Sequence, residues 1–375
     1  MKYIPYGKQL IDEEDIQSVI EVLRSDFLTT GPKINEFEET LARYVHARYA
    51  VAVSNGTAAL HLACLATGIK NGDEVITSPI TFAASANCIL YCGAKPVFAD
   101  IDPVTYNIDP KDVRKKITRN TKAIIPVHFT GQPCDMDEIR GIAEEHNLIV
   151  IEDAAHALGA EYKGKRIGGI SDMTTFSFHP VKHITTGEGG AITTNDEELY
   201  NRLMLYRNHG ITRDPSMMLN HDGGWYYEMQ ELGYNYRITD FQCALGISQF
   251  KKLDGFIARR HEIARVYDKA FHGLKDLVIP AQSESSYSSY HLYVVQLQAM
   301  DRKIFYDSLR DSGIGVNVHY IPVYKHPYYQ RNGFERVCCE NAEGLYKKLV
   351  SLPIFPALTK EEQGYVIEQV ERLLR

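Results

Sequence analysis

Short apolar runs alternate with helical patterns through the first half of the chain. The runs show no strict alternation of apolar and polar positions. Strands of this kind are buried on both faces, and helices between them predict a largely parallel sheet covered on both sides, an α/β fold. The predicted strands are 50–53, 74–77, 96–99, 123–128, 148–152, 174–178 and 191–194, and helices between them include 111–117 and 136–145.

Two further helical patterns flank this region. Residues 13–25 predict an amphipathic helix, and residues 240–267 predict a long helix with a break near 254–255. The segment 207–236 before the long helix is less regular, which is typical of either a mobile loop over a site or a surface excursion. The apolar face of the first helix consists of Ile16, Val19, Ile20 and Leu23.

The hydrophobic pattern changes after about Leu277. Residues 290–297 alternate like a strand, 303–312 suggest a helix, and 315–320 suggest another strand. These elements predict a smaller α+β domain at the C-terminal end.

A capping-box pattern at 359–362 begins the last predicted helix. Since the only polar linker-like stretch nearby is 280–289, the domain boundary is placed loosely. We predict an N-terminal arm and large domain in 1–250, including dimer-forming segments, and a smaller domain in 251–375. The apolar stripe of the last helix is Val366, Ile367, Val370, Leu373 and Leu374.

Composition places the chain among soluble globular proteins. It has 375 residues, of which 44% are hydrophobic and 24% charged. A net charge of −7 gives no electrostatic reason to bind nucleic acid or an anionic membrane. The net negative charge does not exclude a phosphate-bearing substrate, because a few local amides and cations suffice to bind a phosphate.

The cysteines, the histidines and the N-terminus predict a cytoplasmic protein without a structural metal. The 7 Cys are scattered, and Cys338-Cys339 has the spacing of neither a zinc knuckle nor a redox motif. The 14 His form no cluster with ligand spacing. The first residues lack the apolar core of a signal peptide, and no apolar run approaches the ~20 residues needed to span a bilayer.

An acid and a lysine follow the ends of two predicted strands. Asp153 comes directly after 148–152, and Lys182 follows 174–178. A carboxylate at a strand end can pair with a protonated pyridine nitrogen and keep the ring an electron sink. A buried lysine with a lowered pKa can form a Schiff base and carry protons. Together they predict a pyridoxal 5′-phosphate (PLP) site, although singly Asp153 is typical of a turn or cap and Lys182 of a solvated charge.

A small-residue turn at 54–57 leads from a predicted strand into a helix rich in Ala and Leu. Free N–H groups and the positive end of the helix dipole suit a phosphate there, although an ordinary capped turn has the same pattern. Ser177, five residues before Lys182, offers a hydroxyl to the same phosphate. Phe82, at another strand-to-helix junction, is placed either to stack on a flat ring or to fill a core.

The sequence resembles the sugar aminotransferases of the DegT/DnrJ/EryC1/StrS family over nearly its whole length. These have the type I aspartate aminotransferase fold, so the resemblance implies a mostly parallel central sheet and a smaller C-terminal α+β domain. Segments 176–190 and 233–240 are most similar to the pseudaminic acid branch. Further motifs that carry the resemblance are Tyr6-Gly7-Lys8-Gln9, Leu28-Thr29-Thr30-Gly31-Pro32, Ser54-Asn55-Gly56-Thr57-Ala58-Ala59-Leu60 and Ser351-Leu352-Pro353.

The resemblance implies roles around the cofactor ring. Lys182 would be the catalytic residue that forms the Schiff base, and Asp153 would pair with the pyridine nitrogen. His156 would lie beside the phenolic oxygen and Phe82 would stack on the ring. Relatives that dehydrate sugars carry His in place of the Schiff-base lysine, so Lys182 argues against dehydration, and His183 is not a replacement.

The resemblance also implies a phosphate site shared between two subunits. Gly56, Thr57 and Ser177 would hold the phosphate within one chain. Asn235 would reach it from the other subunit, so the active sites of a homodimer would be shared.

The pseudaminic acid branch aminates C4 of a UDP-linked 4-keto-6-deoxy-N-acetylhexosamine of the L series. The resemblance implies L-glutamate as the amino donor, with pyridoxamine phosphate as the intermediate that carries the amino group. Residues similar to those that contact the nucleotide sugar are Tyr6, Asp26, Phe27, Leu28, Thr29, Asn317, His319 and Tyr320.

Three alternatives stay open from the sequence. The nearest rival is an aminotransferase for a different nucleotide sugar, such as a D-series 4-keto sugar. The sequence reveals few contacts to the sugar ring, and the configuration of one hydroxyl can reverse a preference. A PLP-bound regulator without turnover would need an attached DNA-binding segment, for which the chain has neither spare length nor a basic patch. A structural protein of this fold would leave the co-occurrence of Lys182, Asp153 and Ser177 unexplained.

Overall fold

The computed structural model describes residues 3–374, and a seven-stranded sheet lies at its centre. The strands in chain order are β1 Tyr49–Val53, β2 Glu74–Thr77, β3 Lys95–Phe98, β4 Thr121–Ile125, β5 Ile149–Asp153, β6 Glu161–Tyr162, β7 Lys165–Arg166, β8 Met173–Ser177, β9 Gly190–Thr194, β10 Ile211–Thr212, β11 Glu228–Met229, β12 Leu277–Val278, β13 Ser286–Tyr287, β14 Tyr293–Leu297 and β15 Leu349–Leu352. The helices are α1 Glu13–Leu23, α2 Pro32–Val45, α3 Gly56–Ala66, α4 Ala84–Tyr91, α5 Pro110–Lys116, α6 Met136–His146, α7 Glu197–Arg207, α8 Asp240–Phe250, α9 Leu253–Phe271, α10 Arg302–Asp311, α11 Pro327–Tyr329, α12 Glu340–Lys348 and α13 Lys360–Leu374.

The large sheet has the strand order β1-β9-β8-β5-β4-β2-β3. Neighbouring strands are parallel except at β9, which runs antiparallel to both β1 and β8. Every strand predicted from the apolar runs lies in this sheet, so the mostly parallel α/β prediction is confirmed. In such a sheet the carboxyl ends of the parallel strands meet at one edge, where ligands gather.

Helices cover both faces of this sheet. Along β1, Ala52 packs into one hydrophobic core with residues of α2 and α6, and Val53 packs into a second core with residues of α3 and α7. Successive side chains of a strand point to opposite faces. Burial on both faces is therefore the reason that these strands read as continuous apolar runs.

The apolar face predicted for α1 is only partly buried within the chain. Ile16 and Leu23 are 44% and 55% exposed, whereas Asp15 and Val22 are buried. The reason is that α1 lies against α8 through polar contacts, in which Gln249 Nε2 donates to Asp15 Oδ2 at 2.7 Å. The apolar positions on the outer side of α1 are consequently uncovered in a single chain.

The long helix predicted over 240–267 is interrupted earlier than expected. The structure has α8 end at Phe250 and α9 begin at Leu253, so the predicted break near 254–255 is wrong by a few residues. Lys252 lies at the actual break, where its Nζ is 2.9 Å from Asp15 Oδ2. Beyond it, α9 runs from the core of the large sheet to a second, C-terminal core.

The C-terminal core packs on a three-stranded antiparallel sheet in the order β12-β14-β15. Helices α10 and α13 contribute to this core, and so does Ile4 of the N-terminal arm. The capping box of α13 is present, with the Thr359 and Glu362 N–H groups each donating to the other residue's side chain. A division of the chain at 250 stays a prediction.

The predicted strand at 315–320 is wrong, and β15 takes its place in the small sheet. Only Asn317 pairs there, through two backbone hydrogen bonds with Ser351 of 3.3 and 2.8 Å. The pairing stops because Asn317 Oδ1 accepts from the next N–H, of Val318, at 2.8 Å, and His319 bonds the Ser351 side chain. Val316 of this segment packs instead into the C-terminal core.

The irregular segment 207–236 forms a small hairpin between β10 and β11. Its outer part exposes three large apolar side chains, Leu219, Trp225 and Leu232. Exposed apolar groups of this size are typical of a surface that another molecule covers.

Between residues 3 and 374, no helix is both long and apolar enough to cross a bilayer. Within the same range, no grouping of three or more His, Cys, Asp or Glu side chains is arranged to hold a metal ion.

Candidate active site

The ends of four consecutive strands in the sheet, β5, β8, β9 and β1, place the residues predicted to bind a cofactor. Asp153 and Ser177 are the last residues of the parallel neighbours β5 and β8. Gly190, the first residue of β9, pairs with both Ser177 and Val53, the last residue of β1. The turn 54–57 after β1 therefore lies directly beside Ser177.

The turn 54–57 is packed closely against the neighbouring strands β8 and β9. A Cβ on Gly190 would lie 2.5 Å from the carbonyl carbon of Asn55, and one on Gly56 would lie 3.0 Å from Ser177 Cβ. The first contact excludes a side chain at Gly190, and the second leaves little room for one at Gly56. They bring the Ser177 hydroxyl to the N-terminus of α3, where Gly56 and Thr57 occupy the first turn and their N–H groups have no intrahelical acceptor.

The Asp153 carboxylate is buried and held on both oxygens. Ser85 Oγ donates to Oδ2 at 2.5 Å, and the Ala155 N–H donates to Oδ1 at 3.1 Å. The second bond is the turn contact expected of a structural aspartate. The bond from Ser85 comes from a helix distant in sequence, α4, and a structural turn at Asp153 would not require it.

Lys182 follows β8 on the same side of the site. Burial lowers the pKa of its ammonium group to about 8, although the negative charge of Asp153 acts in the opposite direction. A solvated surface lysine would keep its ordinary pKa near 10.4. Lys182 is partly buried, which favours the Schiff-base interpretation over that of a solvated surface charge.

His156 lies in a stack of rings beside Lys182. Its Nε2 is 3.1 Å from the Tyr320 hydroxyl, and its ring centroid is 4.3 Å from that of His291. Burial, and then the charge of Lys182, lower the pKa of His156 well below its ordinary value, so the imidazole is neutral. When Tyr320 donates to Nε2, the proton of the neutral ring is on Nδ1, a buried atom without a partner among the described residues.

Phe82 and Tyr320 are near neighbours above this group. Their ring centroids are 6.3 Å apart, and Phe82 is 63% exposed. The alternative that Phe82 fills the core is therefore wrong. An exposed aromatic face next to Tyr320 is available to a flat ligand.

Tyr6, Asn317 and His319 form a second group close to Lys182. The Tyr6 and His319 rings are 5.2 Å apart, and His319 bonds Ser351 Oγ at 2.8 Å and Asn317 Nδ2 at 3.1 Å. Burial lowers the pKa of His319 to about 3, helped by the Lys182 charge. His319 is therefore a neutral group with both nitrogens already bonded.

The remaining predicted contacts lie at the edge of the site. The exposed segment Asp26–Thr29 is held against the start of α8, where the Asp240 N–H donates to the Leu28 carbonyl at 3.0 Å. Asn235 is exposed, and its backbone bridges to Asn208. The next residue, Tyr236, accepts from the Ser54 N–H at 2.8 Å, so Asn235 lies near the turn of its own chain.

Sequence patterns gave no sign of three residues that the fold brings to the site. Thr81 and Ser85 are buried behind Asp153, and His291 lies between His156 and His183. Thr81 and Ser85 precede and begin a helix without a motif of their own. Only the spacing of four between their hydroxyls could have marked them, because residues four apart share one helix face.

Comparison with known proteins identifies the family. The model of the DegT/DnrJ/EryC1/StrS aminotransferase family matches residues 9–371. The chain belongs to this family. It is a sugar aminotransferase, and the cofactor of this family is PLP.

Relatives named for different sugars resemble this aminotransferase over nearly its whole length. It is 44% identical to the Bacillus subtilis spore coat polysaccharide biosynthesis protein SpsC, covering 100% of this chain and 97% of the relative. It is 40% identical to the UDP-4-amino-4,6-dideoxy-N-acetyl-β-L-altrosamine transaminase of Campylobacter jejuni, over 99% and 97% of the two chains. It is 38% identical to the GDP-perosamine synthase of Escherichia coli O157:H7, over 99% and 98%.

Solved structures confirm the aminotransferase fold. Helicobacter pylori PseC, an aminotransferase of pseudaminic acid biosynthesis, superposes with a TM-score of 0.93 at 34% identity, over 100% of this chain and 99% of PseC. Spr1654 of Streptococcus pneumoniae in its PMP-form superposes with a TM-score of 0.94 at 34% identity, over 99% and 98%. The same protein has also been solved in a PLP-form.

The residues present in this chain fit PLP. The glycine-lined turn at Gly56 and the Ser177 hydroxyl match a phosphate, and the buried Asp153 carboxylate matches a protonated ring nitrogen. The unpartnered Nδ1 of His156 offers a buried donor to a ring oxygen. Each polar part of the cofactor therefore has a complementary group in the site.

Proposed function

We propose that this enzyme transfers an amino group from L-glutamate to C4 of UDP-2-acetamido-2,6-dideoxy-β-L-arabino-hex-4-ulose, a step of pseudaminic acid biosynthesis. The observation that carries the proposal is the 40% identity, over 99% of the chain, to the transaminase named for UDP-4-amino-4,6-dideoxy-N-acetyl-β-L-altrosamine. That compound is the product expected when C4 of this keto sugar is aminated. The structural likeness to PseC supports the same substrate class.

When bound, PLP supplies an electron sink for the carbon that loses a proton. Lys182 would hold the cofactor covalently and afterwards carry a proton between the amino donor's α-carbon and the cofactor. A pKa of about 8 suits both tasks, because the amine can be neutral or protonated near physiological pH. Asp153 would pair with the ring nitrogen, and Phe82 would cover one ring face.

His156, with its neutral ring fixed by Tyr320, would donate Nδ1–H to the ring's phenolic oxygen. Gly56 and Thr57 would bind the phosphate through backbone N–H groups, and Ser177 through its hydroxyl. These groups would hold the ring at both ends, so that Lys182 meets it in one orientation.

The nucleotide sugar would bind at the second group of side chains. Tyr6, His319 and Tyr320 are neutral and close to Lys182, and together with Asn317 they offer an aromatic wall with few free polar atoms. Such a wall suits a deoxygenated, N-acetylated sugar face. The exposed segment Asp26–Thr29 would contact the nucleotide end.

A panel of nucleotide-linked 4-keto sugars tests the substrate. The purified enzyme with PLP and L-glutamate is offered the L-arabino UDP-sugar, its D-series UDP counterpart and a GDP-linked D-series 4-keto sugar, and the products are determined by NMR. We expect amination at C4 of the L-arabino sugar at the highest kcat/KM. Preference for either D-series sugar would contradict the proposal while leaving the aminotransferase assignment intact.

A second candidate is an aminotransferase for a GDP-linked sugar. It is favoured by the 38% identity to the GDP-perosamine synthase, which is nearly as high as the identity to the UDP-sugar transaminase. The same panel separates the two candidates. L-Glutamate is replaced by L-glutamine or L-aspartate in matched reactions to test the donor.

We also propose a homodimer that shares its active sites. The outer side of α1 and the hairpin within 207–236 expose apolar side chains that a second copy would cover. Asn235 is exposed at the base of this hairpin, in a position to reach a neighbouring chain. A cytoplasmic location is part of the proposal, supported by the free thiols of all seven cysteines.

Mixing two inactive variants tests the shared site. Lys182→Ala and Asn235→Ala subunits, each impaired alone, should regain activity after subunit exchange. One site of each heterodimer would then contain the intact Lys182 and Asn235 from opposite chains, and the other would carry both lesions. Activity measured against heterodimer content by native mass spectrometry should rise in proportion.

The control is a mixture of each variant with itself, which should stay impaired. If demonstrated heterodimers recover no activity, Asn235 serves its own chain, as the bond between Ser54 and Tyr236 would allow. Full activity of a monomer at high dilution would contradict the dimer proposal altogether.

A further inference from the structure

Two buried hydroxyls lie behind Asp153 without an assigned role. Ser85, in the first turn of α4, is fully buried, and its Oγ is 2.5 Å from Asp153 Oδ2. Thr81, four residues earlier, is also buried, and its Oγ1 is 2.7 Å from Ser85 Oγ. Thr81, Ser85 and Asp153 therefore form a continuous row of hydrogen-bonded side chains.

The single proton on Ser85 fixes the direction of these bonds. An ionised carboxylate only accepts, so Ser85 must donate to Asp153, and Thr81 must then donate to Ser85. If Asp153 were protonated it would donate to Ser85, whose proton would turn to the Phe82 carbonyl, 3.3 Å away. With Ser85 as the donor, both oxygens of Asp153 act as acceptors, as pairing with a protonated ring nitrogen requires.

We propose that Ser85 and Thr81 are positioning residues that keep the Asp153 carboxylate ionised and in one orientation for the cofactor nitrogen. The inference rests on the role of Asp153 in the proposed function. Bonds from Ser85 to one oxygen and from the Ala155 N–H to the other prevent the carboxylate from rotating. Polarisation along the row from Thr81 strengthens the bond at its charged end.

The surroundings of Asp153 make this support necessary. The carboxylate is buried, and burial without hydrogen bonds disfavours a charge. Among the described residues, the titratable groups that act on it are Lys182, through its positive charge, and the neutral Tyr320. A lysine that becomes neutral during the reaction does not hold the charge of Asp153 at every stage, whereas the two hydroxyls donate throughout.

The segment 81–85 would thus act on the cofactor ring in two ways: Ser85 would position the carboxylate that pairs with the ring nitrogen, and Phe82 would stack on the ring face. Thr81 and Ser85 point into the protein, while Phe82 between them is largely exposed. The Ser85 hydroxyl also lies 3.3 Å from the Phe82 carbonyl. A change at Ser85 would therefore disturb Asp153 first and the position of Phe82 second.

The test measures cofactor binding rather than sugar turnover. Ser85→Ala should weaken PLP binding to the apoprotein by about tenfold or more, since a hydrogen bond to a buried charge is lost. It should also raise the pH midpoint of the bound cofactor's absorbance change by about one unit, because a less positive ring withdraws less charge from the nitrogen joined to Lys182. Thr81→Val should cause the same two changes at smaller size, and Thr81→Ser should restore wild-type values.

Thr77→Val is the matched control. Thr77 is a fully buried hydroxyl at the end of β2 that donates to the Ile125 carbonyl at 2.9 Å. Its loss should lower the melting temperature and leave the PLP affinity and the absorbance midpoint unchanged.

Unchanged affinity and midpoint in Ser85→Ala would overturn the proposal, as would a lower melting temperature without a spectral change. If Ser85→Ala fails to fold, the proposal is tested with Thr81→Val and Thr81→Ser, by the same PLP affinity and absorbance midpoint. A wild-type protein without a cofactor absorbance band would overturn the site assignment itself. A normal wild-type band with unaltered variants would overturn only the role of the two hydroxyls.

Discussion

Lys182→Ala should abolish transamination, with a loss in kcat of at least about 10³-fold, because in the proposed mechanism it removes both the cofactor attachment and the group that moves the proton. The structure explains why this lysine can do both. With a pKa of about 8, a much larger fraction of this amine is neutral near physiological pH than of an ordinary lysine, whose pKa is near 10.4. The wild-type protein should be yellow with PLP and bleached by glutamate, and the variant should show neither property.

The variant should still bind pyridoxamine phosphate without a covalent bond, because the phosphate turn and Asp153 are intact. Binding is measured by equilibrium dialysis, and turnover by the 2-oxoglutarate released. Lys303→Ala is the matched control, since Lys303 is an exposed lysine paired with Asp307 on α10. A Lys182→Ala enzyme that transaminates at the wild-type rate would refute the assignment.

Asp153→Asn should reduce kcat by roughly 10²–10³-fold, the size of the loss when one preorganised charge or dipole is removed from an active site. A neutral amide cannot stabilise the proton on the ring nitrogen. The fold should survive, because the amide oxygen can still accept from Ala155 and the amide N–H₂ can donate to Ser85 Oγ. Melting temperature and rate measured on the same preparation separate the two roles.

Asp109→Asn provides the comparison for a purely structural carboxylate. Asp109 caps α5 by accepting from the Lys111 N–H at 2.9 Å, and Asn caps about as well as Asp. Rate and stability should both be close to wild type there. If Asp153→Asn loses stability without a selective loss of rate, Asp153 is a turn residue and the cofactor assignment is wrong.

Local patterns predicted the large sheet well because its strands are buried on both faces. A strand in this position must be apolar throughout, whatever its neighbours are, so β1 to β5, β8 and β9 are visible in the sequence. The capping box at Thr359 was equally visible, since its partners are three residues apart. The small sheet was less predictable: β15 is only four residues long, Leu349–Leu352, and its pairing depends on the distant β14.

The candidate site divides along the same line. Asp153, Lys182 and the turn at Gly56 follow strand ends, so the sequence alone predicted that an acid, a lysine and a small-residue turn meet at one edge of a parallel sheet. It did not determine the groups that give them their chemistry. The bond from Ser85 spans 68 positions to reach Asp153, and the bond from Tyr320 spans 164 positions to reach His156.

The sequence by itself determined the fold class and the family and predicted which lysine reacts, because strand burial and short motifs are properties of neighbouring residues. Only the tertiary structure decided that Phe82 is exposed, that the outer side of α1 is uncovered, and that the hydroxyls of Thr81 and Ser85 stand behind Asp153. The physical reason is that burial, a lowered pKa and a hydrogen bond between distant residues depend on which segments meet in space. The hydrophobic periodicity of the sequence does not show which distant segments come into contact.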